Sequence, residues 1–578
     1  MIRGAPLPIT PTFPGVYVGE IPSGLHTITP VATSIAAFVG RAPMGPVDEA
    51  LAISSFGDFT RLYGGLSLDY PMSYAVQQFF ENGGSEAVIA RLFEPVDETR
   101  NGYAQLHFPP SSPMQPDCRE LCQPGTVGDE IFAPSLHLVA ASPGTWGNRL
   151  YAAVDVDGIT DVSVKQFLQG DIVREDLFNL SLTLTDPRGR QVSQERYMNL
   201  TVKQTGLAKD SPNRLDRVLA SSKLCRVSRL PNSPPVGAVM GKGGDDGDFL
   251  QPQTYLGDAL KNTGIYLLNA VSFNLLCIPP DRRISDDMPL AQQDLDPKVR
   301  NAAARYSVEK RAIYIVDPPA AWEQLAADGR IADIKLEDLG ITGKNQAGIA
   351  VGRNAAVYFP RFIGEDVLRE GRPAVFAPCG AIAGIIAATD AACGVWKAPA
   401  GADAGLAGVT SLNVTLSDPQ QGELNPLGVN CLRTFPVIGT VIWGSRTLQG
   451  ADPFEDDYKY LSVRRLMLFI EDSLYRGTQW AAFERNDESL WSSLRLAGNS
   501  FLAELARQGA FYNYLVTCDA TTTTPTDIAN GIVNIVIQIA PVMPAEFVAI
   551  QIRQTAMIAA GHAEDRAVAL DDGGQSAH

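Results

Sequence analysis

Few residues in this sequence have the types and spacing that catalysis or metal binding requires. The chain has only five histidines, and it contains no HExxH, GxSxG or paired CxxC pattern. The nearest approach to a metal site is His107 with Cys118 and Cys122, whose loose spacing is a weak signal for zinc. The eight cysteines are sparse for 578 residues and mostly lie in apolar stretches, as is typical of small buried side chains in a reducing compartment. We therefore expect no metal and no cofactor.

Two other segments could suggest an enzyme. The first is GKGGDDG at residues 241–247, but a P-loop needs G-x-x-x-x-G-K-[ST], in which a hydroxyl holds Mg²⁺. Here Gly237 to Lys242 is one residue short and Gly243 follows the lysine. The second is GVWKAPAG, where Trp396 and Lys397 would be the residues of choice; in a tight loop they more commonly serve packing and capping. The sequence predicts that the protein is not an enzyme.

His137 lies on an apolar strand. A ligand role would require partners that the sequence does not place nearby. The more ordinary interpretation is a core histidine whose ring nitrogens are hydrogen-bonded.

The composition restricts the partners. A net charge of −17 argues against nucleic acid, because phosphate binding needs a basic surface. The first residues are rich in proline and lack the apolar core of a secretory signal. The most apolar run, residues 381–388, is far shorter than the ~20 residues that span a bilayer. We expect cytoplasmic folding and no membrane insertion.

The hydrophobic patterning predicts a mixed α/β fold with a mostly parallel core sheet. Strands and helices alternate in two blocks separated by a β-rich stretch. The predicted core strands are Ser34–Gly40, Ala50–Ser54, Glu86–Leu92, Phe273–Ile278, Ala312–Val316 and Asn354–Phe359, and the predicted helices are Phe56–Leu62, Tyr70–Asn82, Asp296–Arg311 and Ala381–Ala388.

The β-rich stretch is predicted to be an insertion, residues 96–236, on the outside of the core. It opens with a Pro- and Ser-rich linker at 109–125. Phe178, Leu180, Leu182 and Leu184 alternate as one half-buried strand face, and a hairpin turn is expected near 186–189.

Two amphipathic helices are predicted between residues 396 and 505. In the first, the apolar face comprises Val463, Leu466, Met467, Ile470 and Leu474, and the opposite side carries Arg464, Arg465, Glu471 and Asp472. In the second, Asp487 is the expected N-cap and Gly509 the stop, and the apolar stripe comprises Leu490, Trp491, Leu494, Phe501, Leu502 and Leu505.

Both ends of the chain are predicted to be extended arms. A strand at 15–21 follows a Pro-dotted segment and needs a sheet to join, in its own domain or in a neighbouring subunit. Near the C-terminus, 511–518 and 532–539 are predicted strands, and 547–553 alternates again. From residue 561 the chain is polar and acidic, which is typical of a disordered tail.

Several motifs carry a family resemblance. GVWKAPAG, LNPLGVNCLRTFP, VIWGSRTL and the spaced W…FERND…LW series resemble, in this order, the C-terminal part of contractile tail sheath proteins. PGVYVGE, TSIAAFVGRAPMGP and FFENGGSEAVIARL resemble their N-terminal part. The resemblance covers residues 14–554. Sheath proteins form the outer cylinder of contractile phage tails and of related bacterial injection systems.

The resemblance implies a helical homopolymer of stacked rings around an inner tail tube protein, with baseplate and tail-terminator or cap proteins as further partners. It implies assembly in the cytoplasm into a phage virion tail or a bacterial injection particle. Contraction would be a rigid-body rearrangement of subunits linked by exchanged strands. The residues expected to exchange are Val16, Tyr17, Val18, Val548, Ile550 and Ile552.

The resulting division is an N-terminal arm (1–21), a core in two parts (22–95 and 237–545) around the insertion (96–236), a C-terminal strand (546–560) and a tail (561–578). The polar face of the second helix is the candidate surface for the tube, although a solvent face or a sheath–sheath contact fits it as well. Its residues are Glu488, Arg495, Asn499, Glu504 and Arg507. Two alternatives to a sheath are a non-contractile shell or surface-layer protein and an α/β enzyme.

Overall fold

The computed structural model describes residues 27–97, 101–109, 135–160, 172–284, 288–345 and 348–547. The α-helices are α1 (Phe56–Tyr63), α2 (Pro71–Glu81), α3 (Leu215–Leu219), α4 (Pro252–Leu256), α5 (Pro297–Glu309), α6 (Ala320–Ala327), α7 (Cys379–Cys393), α8 (Asp418–Leu424), α9 (Leu461–Gly477), α10 (Glu488–Arg507) and α11 (Pro525–Ala529). Within these residues, no helix is both long and apolar enough to cross a bilayer.

The strands belong to five sheets. They are β1 (Ala36–Gly40), β2 (Leu51–Ile53), β3 (Ala87–Arg91), β4 (Gln105–His107), β5 (His137–Ala140), β6 (Leu150–Asp155), β7 (Leu177–Thr185), β8 (Gln191–Thr201), β9 (Cys225–Arg229), β10 (Ala238–Met240), β11 (Leu275–Cys277), β12 (Ile313–Val316), β13 (Ala355–Phe359), β14 (Phe362–Asp366), β15 (Arg372–Phe376), β16 (Ser411–Leu412), β17 (Asn430–Phe435), β18 (Gly439–Trp443), β19 (Phe511–Thr517) and β20 (Val536–Pro541).

The largest sheet has eight strands in the order β18-β17-β13-β12-β11-β1-β3-β2. Its inner pairs are parallel, and only the edge strands β18 and β2 run antiparallel to their neighbours. The strands β1, β3, β12 and β13 are buried along their whole length, since helices and loops cover both faces. The side chains of successive residues therefore pack in two hydrophobic cores, one on each face of the sheet: Val39 lies in one core and Phe38 in the other. The predicted mixed α/β class is confirmed.

Helix α7 crosses one face of this sheet at very short range from α2. Gly380 and Gly384 face α2, and a Cβ added at Gly380 would lie 2.1 Å from the carbonyl oxygen of Ala75. The predicted small-residue helix thus exists, but it is longer than the apolar run at 381–388 and ends at Cys393. Its small side chains allow the two helices to approach backbone to backbone.

The β-rich region forms a four-stranded sheet, β10-β6-β7-β8, and a three-stranded sheet, β4-β5-β9, which share one hydrophobic core. The predicted alternating residues of β7, from Phe178 to Leu184, are buried in it. In the β7–β8 turn, Asp186 accepts hydrogen bonds from the backbone of Arg188 and Arg190, each at 2.8 Å. Strand β10 lies beyond residue 236 and pairs with β6, so we propose Met240 as the end of this unit.

The glycine-rich segment 241–247 follows β10 and packs against the residues that precede β6 in the same β-rich unit. A Cβ at Gly241 would lie 2.0 Å from the carbonyl oxygen of Gly147, so only glycine allows the contact. Asp246 accepts from both the backbone N–H and the hydroxyl of Thr145, at 2.7 and 2.9 Å. These glycines therefore serve backbone packing.

The C-terminal elements of the first compact unit are α9, α10 and the antiparallel β19–β20 hairpin. A second unit starts at residue 544, and its described residues, 544–547, form no helix or strand.

Candidate assembly surfaces

Of the three candidate metal ligands, His107 lies within the described residues, on the edge strand β4. Within the described part of the chain, no group of three His, Cys, Asp or Glu residues could hold a metal ion. His107 and His137 face each other across β4 and β5, with ring centroids 4.2 Å apart. Cys118 and Cys122 lie outside the described residues.

The interpretation of His137 as a core residue needs correction. Its Nε2 does have a partner, the Ser135 hydroxyl at 2.8 Å, but the side chain is only half-buried. Partial burial, followed by the nearby His107, lowers the pKa of His137. Strand β5 lies beside the short edge strand β4, so alternate residues remain close to solvent.

The GVWKAPAG loop has the geometry of a packed turn. Trp396 is half-buried against the cluster formed by α9, α10 and the terminal hairpin, whereas Lys397 is exposed. The backbone N–H of Lys397 donates to the carbonyl of Gly394 at 3.1 Å, which closes the turn.

Helix α9 differs from the prediction in an informative way. The two arginines of its expected polar side are covered by protein, since the side chains of Arg464 and Arg465 are only 6% and 3% exposed, whereas Glu471 on the same side is exposed. Arg464 donates from Nε to Asn354 Oδ1 at 3.1 Å. Arg465 donates from Nη1 to Asp390 Oδ1 at 2.7 Å. A buried charge requires such partners, and these come from α7 and from the loop before β13, which are distant in sequence.

Helix α10 follows the prediction closely. Asp487 caps it by accepting from the backbone of Ser489 and Leu490, at 3.0 and 3.2 Å. The predicted stripe from Leu490 to Leu505 is buried. The helix ends at Arg507, and Gly509 has a φ of +86°, which glycine adopts most readily.

The five candidates on the polar face of α10 fall into two groups. Arg495 and Asn499 are half-buried and hydrogen-bonded within the subunit, since Asn499 Nδ2 donates to the Arg495 carbonyl at 2.9 Å and Arg495 donates to the Cys518 carbonyl. Glu488 is exposed and pairs with Arg495 at 2.6 Å. Glu504 and Arg507 form a second ion pair, with Arg507 exposed.

The β19–β20 hairpin has one packed face and one open face. Ile535, Ile537 and Ile539 pack toward α9 and α10, which confirms the predicted alternation. On the other face, Tyr512 is 78% exposed and Leu515 is 55% exposed. No other strand in the described residues pairs with β19 or β20, so both outer edges have free backbone groups. The proposed exchange residues, Val16–Val18, Val548, Ile550 and Ile552, lie outside the described residues.

Comparison with known proteins identifies this region. The profile of the phage tail sheath C-terminal domain matches residues 455–555, which span α9, α10 and the hairpin. The C-terminal part of this chain therefore resembles the C-terminal domain of phage tail sheath proteins. The chain is 32% identical over 144 residues to the tail sheath protein of Vibrio phage KVP40 and 29% identical over 148 residues to that of Enterobacteria phage T4. These matches cover 25% of this chain and about a fifth of each relative, 21% and 22%.

Solved structures support the same fold over most of the chain. A sheath tail protein from Listeria innocua matches with a TM-score of 0.51 at 13% identity, covering 89% of this chain and 96% of the other. A chain of the contracted anti-feeding prophage baseplate matches with a TM-score of 0.50 at 16% identity, covering 96% and 100%. The resemblance to contractile tail sheath proteins is confirmed. This is a structural family and not an enzyme family, in agreement with the prediction.

Sequence reasoning missed the residues that cover α9. Residues 27–35 lie along this helix, and Arg465 contacts them. The apolar Ile28 and Val31, spaced by three residues ahead of a strand, were the available signal.

Proposed function

We propose that this protein is the structural subunit of a contractile tail sheath. Subunits would polymerise helically around an inner tube and contract, through rigid-body rearrangement, to drive the tube through a target envelope. The observation that carries the proposal is the sheath-domain match at residues 455–555. The assembled sheath belongs to a phage tail or a bacterial injection particle, and its assembly takes place in the cytoplasm.

Strand exchange is the proposed link between subunits. The free edges of β19 and β20 offer main-chain donors and acceptors to an added strand. We propose that Val16–Val18 of one neighbour and Val548, Ile550 and Ile552 of another supply such strands. A head-to-tail interface of this kind does not close on itself, and it therefore generates a cylinder.

The polar face of α10 is the proposed contact with the inner tube. Glu488 and Arg507 are exposed on this face, and each already forms an ion pair within the subunit, with Arg495 and Glu504 respectively. The proposed tube contact therefore involves these pairs. Charge reversal at both positions, Glu488→Lys with Arg507→Glu, should prevent assembly on purified tubes. The matched control is Glu337→Lys, at an exposed position on another surface. Normal assembly of the double variant would remove the nomination.

Imaging of the purified protein, expressed with its tube, baseplate and cap proteins, tests the function as a whole. Negative-stain microscopy should show striated or cog-ended tubes of two lengths, extended and contracted. Flat sheets or closed shells would instead indicate a surface-layer or shell protein.

A further inference from the structure

Residues 27–35, here called the strap, run along one face of α9 before the chain enters the central sheet. Three contacts define the path. Ile28, 3% exposed, lies against Gly477, where an added Cβ would come within 2.8 Å of the isoleucine. The Val31 N–H donates to Ser473 Oγ at 3.2 Å. The Thr33 carbonyl accepts from Arg465 Nη2 at 3.0 Å.

The helix residues of these contacts share one face. Gly477 and Ser473 are four positions apart and are neighbours on the helix surface. Arg465, eight positions earlier, is offset from Ser473 by about 80° around the helix axis, and its long side chain reaches the strap. The strap therefore runs antiparallel to α9 over about 18 Å, at 1.5 Å per residue. Each of the three contacts involves a specific residue of α9. The strap is therefore held at defined positions along the helix.

The contact at Arg465 is the most strongly held of the three. The side chains of Arg465 and Asp390 are 3% and 2% exposed, and the guanidinium binds this carboxylate while it also donates to Thr33. Asp390 belongs to α7, which packs on α2 at the backbone distance described above. One guanidinium therefore joins the strap, α9 and the helix layer of the core.

Beyond the strap, the chain enters the middle of the central sheet. Ile35 N–H donates to Asn274 Oδ1 at 3.1 Å, and the Ile35 carbonyl accepts from Leu275 at the same distance. Strand β1 then lies between β11 and β3. The strap is thus the only covalent path from residues 1–26 to the core.

We propose that the strap is the mechanical anchor of the N-terminal arm, with Arg465 as its positioning residue and Asp390 as the support. This inference rests on the proposed function, in which the arm is bound by a neighbouring subunit. A pulling force on the arm is transmitted through the Thr33–Arg465–Asp390 contacts to α9 and α7. The force therefore does not act on β1. The anchor also fixes the departure point of the arm beside the sheath domain.

The length of the strap explains why anchoring matters. If its nine residues detached from α9, a segment of up to about 30 Å, at roughly 3.3 Å per extended residue, would be free to reorient between two subunits. Such freedom would allow neighbouring subunits to lose their register during contraction.

The test removes both charges of the anchor, with Arg465→Met and Asp390→Leu, so that no buried charge is left unpaired. The matched control is Arg464→Met, which removes the adjacent buried arginine; this arginine donates to Asn354 and Glu471 and makes no hydrogen bond to the strap. In hydrogen exchange of the full chain, the Val31 amide should exchange at least tenfold faster in the double variant. It should keep its wild-type rate in the control.

The functional readout is the integrity of contracted sheaths in electron micrographs. The double variant should form extended tubes that break into short fragments on contraction, whereas control sheaths should contract intact. A cross-link through Val31→Cys and Ser473→Cys, added to the double variant, should restore intact contraction under oxidising conditions only. Intact contraction of the uncross-linked double variant, or an unchanged Val31 exchange rate, would overturn the proposal.

A second variant, Gly477→Ala, tests the anchor independently if the double variant does not fold. Gly477→Ala leaves the ion pair in place and displaces Ile28, and alanine is otherwise favourable within a helix. It should give the same rapid exchange and fragmentation, and intact sheaths from it would contradict the anchor. Wild-type protein that formed no contractile tube would refute the proposed function itself, an outcome distinct from intact sheaths of the variants.

Discussion

The backbone contact between α7 and α2 gives a sharp prediction for Gly380→Ala. The added Cβ would lie 2.1 Å from the carbonyl oxygen of Ala75 and 2.7 Å from its Cα. These are backbone atoms, which cannot rotate away, so the two helices must separate by about 1 Å to relieve the overlap. Both helices pack in the same buried core, and the separation would disturb that packing.

The magnitude follows from two opposing effects. Overpacking of a core costs about 1–3 kcal/mol, and the larger figure applies here because the clash is with backbone. Replacing a helical glycine with alanine returns about 0.5–1 kcal/mol. The net expectation is a loss of about 2 kcal/mol. For a chain of 578 residues, whose unfolding entropy is about 1.2 kcal/mol/K, this loss corresponds to a decrease of roughly 2 °C in the midpoint of thermal unfolding.

The matched control is Gly422→Ala in α8. This glycine is also helical, but nothing lies within 4 Å of its added Cβ. The same substitution should therefore leave the thermal midpoint unchanged or raise it slightly. Both variants can be compared with wild type by differential scanning calorimetry. A Gly380→Ala variant as stable as the control would refute the close α7–α2 contact.

Three further predictions concern buried or capping groups. Burial raises the pKa of Asp317 to about 6, so the folded protein holds a proton that the unfolded chain releases above about pH 4. Stability should then fall by about 3 kcal/mol as pH rises from 4 to 6, and Asp317→Asn should flatten this slope in urea titrations. Asp487→Ala should cost about 1 kcal/mol by removing the α10 cap, measured as a lower denaturation midpoint. Asn430→Ala should cost more than 2 kcal/mol by the same assay, because its buried amide makes three hydrogen bonds, to Val357 and Arg446.

Local patterns were sufficient to predict most of the elements. The parallel core strands follow from short apolar runs between helical segments, and β7 follows from strict alternation. The start of α10 follows from Asp487, since an N-cap depends only on the next three residues. These features depend on neighbours in sequence, and one sequence therefore contains the information.

The contacts that sequence did not predict are those between distant segments. Arg465 and Thr33 are 432 positions apart, and nothing near Arg465 shows that a carbonyl will meet it. An arginine on the polar side of an amphipathic helix is ordinarily solvated. The pairing of β10 with β6 likewise joins segments that three other strands, β7, β8 and β9, separate in the sequence, and composition alone does not show which strands pair.

The assignment of α10 residues to the tube stays a prediction for the same reason. Exposure of Glu488 and Arg507 identifies a surface but not the molecule that covers it. The charge-reversal experiment decides this point.

The central claim is that extended ends join identical subunits into a contractile sheath. Its most direct test is removal of residues 1–20, followed by imaging of the purified protein together with its tube. We predict that the truncated chain folds with an unchanged thermal midpoint but forms no tubes, while the full chain forms striated tubes. Tubes of normal length and contraction from the truncated chain would contradict the account.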